Sequence, residues 1–207
     1  MTQHVIGESG GHQFDFTVDI KRLTNRDLVF TAAKTTSWNK VKARGLEPWY
    51  RCEHSPIRTQ MFYISTRGIP HFAHTHFVRH TVWNQPFVRT GREDRGKKGV
   101  QTRWSPNDMD LLVNAQTLIN MARKRLCRSA HEVAQKIMGA IVDEMRVEDV
   151  DLSRCLVREC IYRNGFCPQF KPCGFLQTPE ALDELQTWLG SDWQNRIMFH
   201  YVKAMVR

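Results

Sequence analysis

The 207-residue chain contains no run of apolar residues long enough to cross a membrane. Its N-terminus, Met1-Thr2-Gln3-His4, lacks the basic and apolar regions of a secretory signal, and the chain contains neither an internal repeat nor a low-complexity tract. These absences argue against a membrane protein, a secreted protein and a repeat protein. We therefore expect a cytoplasmic protein built as a single domain over 1–207, which is long enough to bury a core without disulfides.

Acidic residues are fewer than basic residues in this chain. The chain has 30 Lys and Arg residues against 21 Asp and Glu residues, which gives a formal net charge of +9. Such an excess favours an anionic partner of some kind. A nucleic acid is one such class, and phosphorylated small molecules such as dinucleotides, nucleotides and folates are another, so the net charge alone does not separate a nucleic-acid-binding domain from an enzyme.

None of the six cysteines stands in a recognisable setting for a catalytic nucleophile. The separations of Cys160, Cys167 and Cys173 match no usual zinc pattern. In a reducing compartment these residues are expected to be free thiols, and a structural metal completed by Cys155 or by a histidine is the alternative.

A second metal hypothesis concerns His71, His74, His76 and His80, because the last two are spaced one helical turn apart. No carboxylate or cysteine nearby completes a recognisable ligand set. We therefore assign no metal ligand from the sequence.

Periodicity predicts a mixed arrangement of strands and helices. Strands are predicted over 14–20 and 61–66, and helices over 28–33, over 70–77, from 105 to about 126, from a capping box at 129–132 to about 145, from 178 to 190, and from 191 onward. Within this arrangement Asn114 and Arg125 would lie on one face of a helix, about 16 Å apart along its axis. The charged, glycine-containing segment 92–99 is expected to be a mobile loop.

The segment from Arg79 to Arg92 joins cationic side chains to small and amide side chains. Arginine offers several donors in a planar fork, so Arg79, Arg89 and Arg92 are suited to clamping phosphate or carboxylate oxygens. A solvated basic loop is the competing interpretation of the same residues.

Three blocks of this sequence resemble flavin-dependent thymidylate synthases. The first block keeps Arg79 and His80 at the end of a helix and an approximate Thr90-Gly91-Arg92 ending, but Thr81 replaces the third basic residue of the family triplet. The second block runs from Asn114 to Asn120 and continues to Arg125 and Ser129-Ala130-His131-Glu132. The third block is His54-Ser55-Pro56, where Arg58 stands at the position of a family glutamate. Together the blocks cover roughly 28–160 in the family's order.

The resemblance implies an α+β fold with a mostly antiparallel sheet packed against long helices, followed from about 155 by a Cys-containing segment and a helical C-terminal extension. It implies transfer of a one-carbon unit from methylenetetrahydrofolate to C5 of a pyrimidine deoxynucleotide, most simply dUMP to dTMP, with FAD reduced by NADPH. Another pyrimidine such as dCMP, or hydroxymethyl transfer, is an alternative within the same fold. The other alternative is a basic nucleic-acid-binding domain without flavin. The family also implies a homotetramer whose active sites are shared between subunits.

The resemblance also assigns roles to individual residues. Arg125 is the expected catalytic residue, because the matching family arginine lies against the pyrimidine base, where a fixed cation stabilises developing negative charge. The expected substrate-binding residues are His76, Arg79, Thr90, Arg92, Arg103 and Arg125. The expected flavin-binding residues are Ser55, Arg79, His80, Thr81, Asn114, Gln116, Asn120 and His131.

Overall fold

The computed structural model describes residues 2–36, 45–95, 99 and 101–190. Five strands form one fully antiparallel sheet in the order β1-β2-β3-β5-β4. The strands are β1 Gln3–Ser9, β2 His12–Arg22, β3 Met61–Pro70, β4 Asn84–Val88 and β5 Pro106–Asn114. The α-helices are α1 Asp27–Thr36, α2 Glu47–Arg51, α3 Thr75–Val78, α4 Ala115–Arg125, α5 Glu132–Glu148, α6 Val150–Ser153, α7 Glu159–Tyr162 and α8 Pro179–Leu189.

Apolar and polar residues alternate along the second strand, β2. Every second residue from Phe14 to Ile20 is buried, as the sequence predicts, while the intervening residues are more exposed. Gly10 and Gly11 join β1 to β2 with φ angles of 57° and 76°. A two-residue hairpin turn with both central residues at positive φ favours glycine, because glycine has no Cβ to clash there.

The helix predicted from 105 to about 126 is wrong in its first half. Residues 106–114 form β5, in which Asn107, Met109, Leu111 and Val113 are buried in alternation. This strand pairs with β3 on one side and β4 on the other, so its backbone groups are satisfied by neighbours that are distant in sequence. The helix α4 begins only at 115, directly after the strand.

The start of α5 also differs from the prediction. The capping box was expected to begin at Ser129, but the N-cap is His131, whose Nδ1 accepts a hydrogen bond from the backbone N–H of Val133 at 3.2 Å. The imidazole nitrogen therefore replaces the hydroxyl oxygen as the acceptor for an otherwise unpaired helix amide.

Two hydrophobic clusters are present in the described part of the chain. The larger one joins the sheet to α4 and α5 and includes Phe16, Ile64, Leu118 and Ile141. The smaller one is formed only by residues after 156, among them Ile161, Phe175 and Trp188. The second cluster therefore gives the C-terminal part of the described chain a small core of its own.

The remaining element predictions are confirmed with small changes of boundary. The strand at 61–66 extends to Pro70, the helix at 70–77 is a 3-10 turn at His71–His74 followed by α3, and α8 runs from a Thr178 cap to Gly190. The fold is α+β, as expected. The helix predicted from 191 and residues 96–98 of the loop predicted at 92–99 lie outside the described residues, and Glu93–Arg95 of that loop form a 3-10 turn. None of the helices within the described ranges combines the length and the apolar character needed to span a bilayer.

Candidate functional site

The C-terminal end of α4 meets the segment that follows α3 through a contact between Arg125 and His80. Nε of Arg125 donates a hydrogen bond to Nε2 of His80 at 3.1 Å. Burial and the charge of neighbouring Arg79 both lower the pKa of the Arg125 guanidinium. The structure thus brings together Arg79, His80 and Arg125, which the sequence motifs single out. His80 and Arg125 are 45 positions apart in the chain.

His80 is held in its neutral form. Burial, followed by the charges of Arg125 and Lys124, lowers the pKa of His80 to about 4. Because Nε2 accepts the hydrogen bond from Arg125, the single proton of the neutral ring lies on Nδ1. His80 therefore orients the guanidinium without adding a positive charge.

An aromatic surface continues this site on the other side of His76. The His76 ring lies 5.7 Å from the ring of His131, and the His131 ring lies 4.9 Å from that of Phe72. Burial and the charges of Arg125, His131 and Arg79 lower the pKa of His76. The guanidinium of Arg103 lies over the Phe72 ring, 4.5 Å from its centroid. We call the set His76, Arg79, His80, Arg103, Arg125 and His131, with Phe72, the cationic cluster.

The cationic cluster contrasts with the other arginines of the protein. Most arginines in the described ranges form ion pairs with carboxylates, namely Arg22, Arg26, Arg51, Arg67, Arg89, Arg92, Arg123, Arg128, Arg146, Arg154, Arg158 and Arg163. Within those ranges no carboxylate forms an ion pair with Arg79, Arg103 or Arg125. A half-buried Arg125 beside the exposed guanidiniums of Arg79 and Arg103, all without a carboxylate partner in the described ranges, is electrostatically suited to an anionic ligand.

Phe72 and Trp104 were missed as site residues by the sequence reasoning. Phe72 contacts both Trp104 and His131, with ring centroids 5.1 and 4.9 Å apart. Their signal in the sequence was weak, because an aromatic residue on a helical turn most often fills a core. The spacing of four between Phe72 and His76 was the available hint, since residues at that spacing meet on one helix face.

The amide residues expected at the flavin lie elsewhere on α4. Gln116 donates to the Glu53 carboxylate, and Asn120 accepts from Arg123 at 3.4 Å. Nine positions at about 100° each place Gln116 on the side of α4 opposite to Arg125. A single protomer therefore presents these amides and the cationic cluster on different faces.

Asn114 is fully buried at the N-cap of α4. Its Oδ1 accepts from the backbone N–H of Thr117 at 2.9 Å, and its Nδ2 has no hydrogen-bond partner among the described residues. Asn114 and Arg125 were predicted to share one helix face, but they lie at the two ends of α4, with Asn114 as its N-cap. Ser55 is exposed at the first position of a 3-10 helix, Ser55–Thr59, beside α1 and the start of α4.

The remaining expected residues are exposed on the segment from His80 to the end of β4 and just beyond. Thr81 is exposed in the turn before β4. Thr90 Oγ1 accepts from the backbone N–H of Arg92 at 3.2 Å, and the Arg92 side chain pairs with Asp94 at 2.6 Å. The charge of Arg92 is thus partly compensated within its own turn.

The histidine-rich turn does not form a metal site by itself. Nδ1 of His71 lies 3.1 Å from the Asn107 amide nitrogen, and Nδ1 of His74 is buried without a partner among the described residues. Burial and the neighbouring His71 lower the pKa of His74. Among the residues that the structure describes, no three His, Cys, Asp or Glu side chains stand in a ready-made arrangement for a metal ion.

The low pKa of His80 predicts a loss of stability at mildly acidic pH. Between the ordinary histidine pKa of about 6.5 and the folded value of about 4, the unfolded chain binds a proton that folded His80 does not bind. The unfolded state is therefore favoured as pH falls through this window. Because the ring is partly exposed, the contribution is on the order of 1 kcal/mol.

Urea unfolding at pH 7 and pH 4.5, at fixed protein concentration, measures this effect. His80→Gln keeps an acceptor for Arg125 and removes the titration, so it should lose less stability than the wild type between the two pH values. Carboxylates and the other histidines contribute equally to both proteins and cancel. Equal losses in the two proteins would contradict a buried neutral His80.

Comparisons with known proteins give a likeness of structure and not of sequence. No protein-family model and no curated protein matches the chain. Two solved structures of thymidylate synthase X (ThyX) from Helicobacter pylori, both with FAD and dUMP, resemble it. One has a TM-score of 0.54 at 14% sequence identity, covering 67% of this chain and 99% of that chain. The other has a TM-score of 0.56 at 15% identity, covering 68% and 99%. The protein therefore has a ThyX-like fold.

Proposed function

We propose that this protein transfers a one-carbon unit from methylenetetrahydrofolate to C5 of a pyrimidine deoxynucleoside monophosphate, most simply dUMP, with FAD reduced by NADPH. The observation that carries the proposal is the unpaired cationic cluster around Arg79, His80 and Arg125, on a fold like that of ThyX. The motif resemblance and the spatial contact are independent, because the motif residues come from separate segments of the chain. Their convergence supports a common site.

The donor set of the cluster fits an anionic nucleotide. Arg79 and Arg103 carry guanidinium donors suited to phosphate oxygens, and Thr81 and Thr90 supply hydroxyls on the same exposed segment. The rings of Phe72 and His131, which meet edge to face, offer an apolar surface of the kind on which a flat heterocycle packs. Burial and then neighbouring positive charges lower the pKa values of Arg125 and His76, and an anion bound here would offset the repulsion between those charges.

Arg125 is the residue to which we assign the catalytic role. A reduced flavin, when bound, supplies hydride, and the folate supplies the carbon. The guanidinium of Arg125 would lie against the pyrimidine and stabilise negative charge that develops on the ring, and His80 would hold it in place by accepting from Nε. Neutral His80 leaves the full charge of the guanidinium directed toward the base.

We further propose a homotetramer in which different subunits contribute to each site. Gln116 and Asn120 lie on the face of α4 opposite to Arg125, so one protomer cannot direct all three side chains at one ligand. An assembly can, because a second subunit supplies the face that the first turns away. Val82 and Trp83, just before the edge strand β4, and Phe87 within it are exposed apolar side chains, and such surfaces are typical of protein interfaces.

The nucleic-acid-binding alternative gains little from the structure. Nucleic-acid binding by charge requires a broad surface of free cations. Most described arginines instead pair with carboxylates, and three of the unpaired ones, Arg79, Arg103 and Arg125, belong to the cationic cluster. This distribution favours a small anionic ligand over a polymer.

Spectroscopy and turnover of the purified protein test the proposal directly. We expect a yellow protein whose flavin, reduced by NADPH, is reoxidised when dUMP and methylenetetrahydrofolate are added, with dTMP as product. Parallel reactions with dCMP identify the preferred base, and chromatographic separation of the products distinguishes methyl from hydroxymethyl transfer. Light scattering on the same preparation should give about four times the chain mass of 24.2 kDa. A colourless monomer that retains polynucleotide at moderate salt would overturn the proposal.

A further inference from the structure

A small cavity in the C-terminal part of the described chain is lined by four cysteines from separate places in the sequence. The four are Cys127, just after α4, Cys160 in α7, and Cys167 and Cys173 in the loop that follows α7. All four are free thiols. Burial raises the pKa of the Cys160 thiol to about 11, and the neighbouring thiols of Cys127 and Cys167 act in the same direction. Four of the six cysteines therefore share one site.

The cysteines at this cavity differ from the set that the sequence suggested for a structural metal. Cys155 was considered as the completing ligand, but it is buried elsewhere and its thiol contacts the backbone oxygens of Glu47 and Asp151 at 4.0 and 3.5 Å. Cys127 takes its place at the cavity. The spacing of the cysteines in the sequence did not point to Cys127, because it lies 33 positions before Cys160.

The elements around the cavity share only a small hydrophobic core. The smaller hydrophobic cluster contains only seven buried residues, all between positions 160 and 189. A unit of this size rarely builds a sufficient core, and small units of this kind commonly depend on disulfides or a structural metal. The loop from Arg163 to Gly174 has no regular secondary structure and carries two of the four cysteines.

We propose that Cys127, Cys160, Cys167 and Cys173 bind one structural Zn²⁺ ion as four thiolates. Four sulfur ligands favour a tetrahedral zinc site or an iron–sulfur cluster. The cavity volume of about 10 Å³ favours a single ion, because it has room for about one water-sized particle. Binding follows the balance of one Zn²⁺ and four thiols giving a dianionic tetrathiolate complex and four protons.

Two arginines that pair with Glu180 and Glu184 on α8 also lie beside the cavity and bring positive charge close to such a complex. The guanidiniums of Arg128 and Arg158 lie over the ring of Phe175, 4.7 and 4.4 Å from its centroid, and all three residues line the cavity. Arg158 also donates to the backbone oxygen of Leu126 at 2.6 Å, next to Cys127. Positive groups around the ligands stabilise thiolates over thiols.

The thiols line the cavity without forming a ready-made metal arrangement, so their side chains would rotate inward on binding. Such a closure would connect the C-terminal segment to the end of α4. Cys127 lies two positions after Arg125, so the ion would restrain the same helix end that presents Arg125 to His80. The site is distinct from the cationic cluster and its existence does not depend on the proposed enzymatic activity.

Metal analysis of the full-length protein, purified under reducing conditions without chelator, tests this inference. We expect one zinc per chain by mass spectrometry of the metal content, released when the thiols are titrated with a mercurial. After removal of the zinc, Co²⁺ should bind with the thiolate-to-metal charge-transfer band and the visible bands of tetrahedral cobalt. This spectrum requires no variant, so it stays informative even if substitutions impair folding.

Single substitutions identify the ligands. Cys127→Ser and Cys173→Ser should weaken zinc at least ~100-fold in competition with a chelator, since each removes one of the four ligands. Cys52→Ser is the matched control, because Cys52 is exposed and is not among the residues that line the cavity, and it should bind zinc as the wild type does. Retention of zinc by both variants, disulfides between these cysteines, stoichiometric iron with sulfide, or free thiols that take up no metal would each overturn the assignment.

Discussion

Replacing Arg125 with lysine should reduce kcat for the dUMP reaction by about 100-fold, and replacing it with alanine by about 1000-fold. Lysine keeps a positive charge but lacks the planar fork and the Nε donor that reaches His80 at 3.1 Å. The charge would therefore be present but not held against the base. Stopped-flow measurement of flavin reoxidation separates this effect on the reaction from any effect on nucleotide binding.

Arg146→Lys is the control for this experiment. Arg146 is exposed on α5 and pairs with Asp143 at 2.8 Å, so its replacement should leave turnover within about twofold of the wild type. Flavin content and urea stability of the Arg125 variants should also match the wild type. Wild-type turnover in Arg125→Lys would show that this guanidinium does not contact the reacting ring.

Replacing Asp149 with asparagine should destabilise the protein by about 3–5 kcal/mol. The Asp149 side chain is fully buried, and its carboxylate accepts from the hydroxyl of Tyr50 at 2.9 Å and pairs with Arg22. Its Oδ1 also accepts from the backbone N–H of Leu152 at 3.2 Å, which caps α6. Asparagine keeps the size of the side chain and an acceptor oxygen, but it leaves the partly buried Arg22 at the end of β2 without this counter-charge.

Asp143→Asn supplies the comparison, because Asp143 forms an exposed ion pair that contributes less than about 1 kcal/mol. The midpoint of urea unfolding should shift strongly for Asp149→Asn and hardly at all for Asp143→Asn. A similar small shift in both variants would indicate that the buried network around Asp149 contributes no more than a surface pair.

Local patterns predicted the elements whose stability depends on their own residues. The alternation of Phe14, Phe16, Val18 and Ile20 is enough to predict β2, and Thr178 followed by Pro179 is enough to predict the start of α8. The same patterns failed at 106–114. There the choice between strand and helix depends on β3 and β4, whose backbone groups lie beside β5 only after the chain has folded.

The sequence likewise predicted some features of the candidate site and not others. Motif spacing in the sequence singled out Arg79, His80 and Arg125, and the structure brings them together. The sequence predicted one common face for Asn114 and Arg125, whereas the structure buries Asn114 as a helix cap. Helical spacing determines which residues share a direction, but the point at which a helix begins depends on the strand before it.

The sequence by itself determined the residue types of this protein: an excess of cations, the motif residues Arg79, His80 and Arg125, and six cysteines. Only the tertiary structure decided which of those residues meet. Cys127 rather than Cys155 lines the cavity with the other three cysteines, and the amides of α4 face away from Arg125. The physical reason is that contacts between distant segments follow from how helices and strands pack, and packing depends on the whole buried core at once.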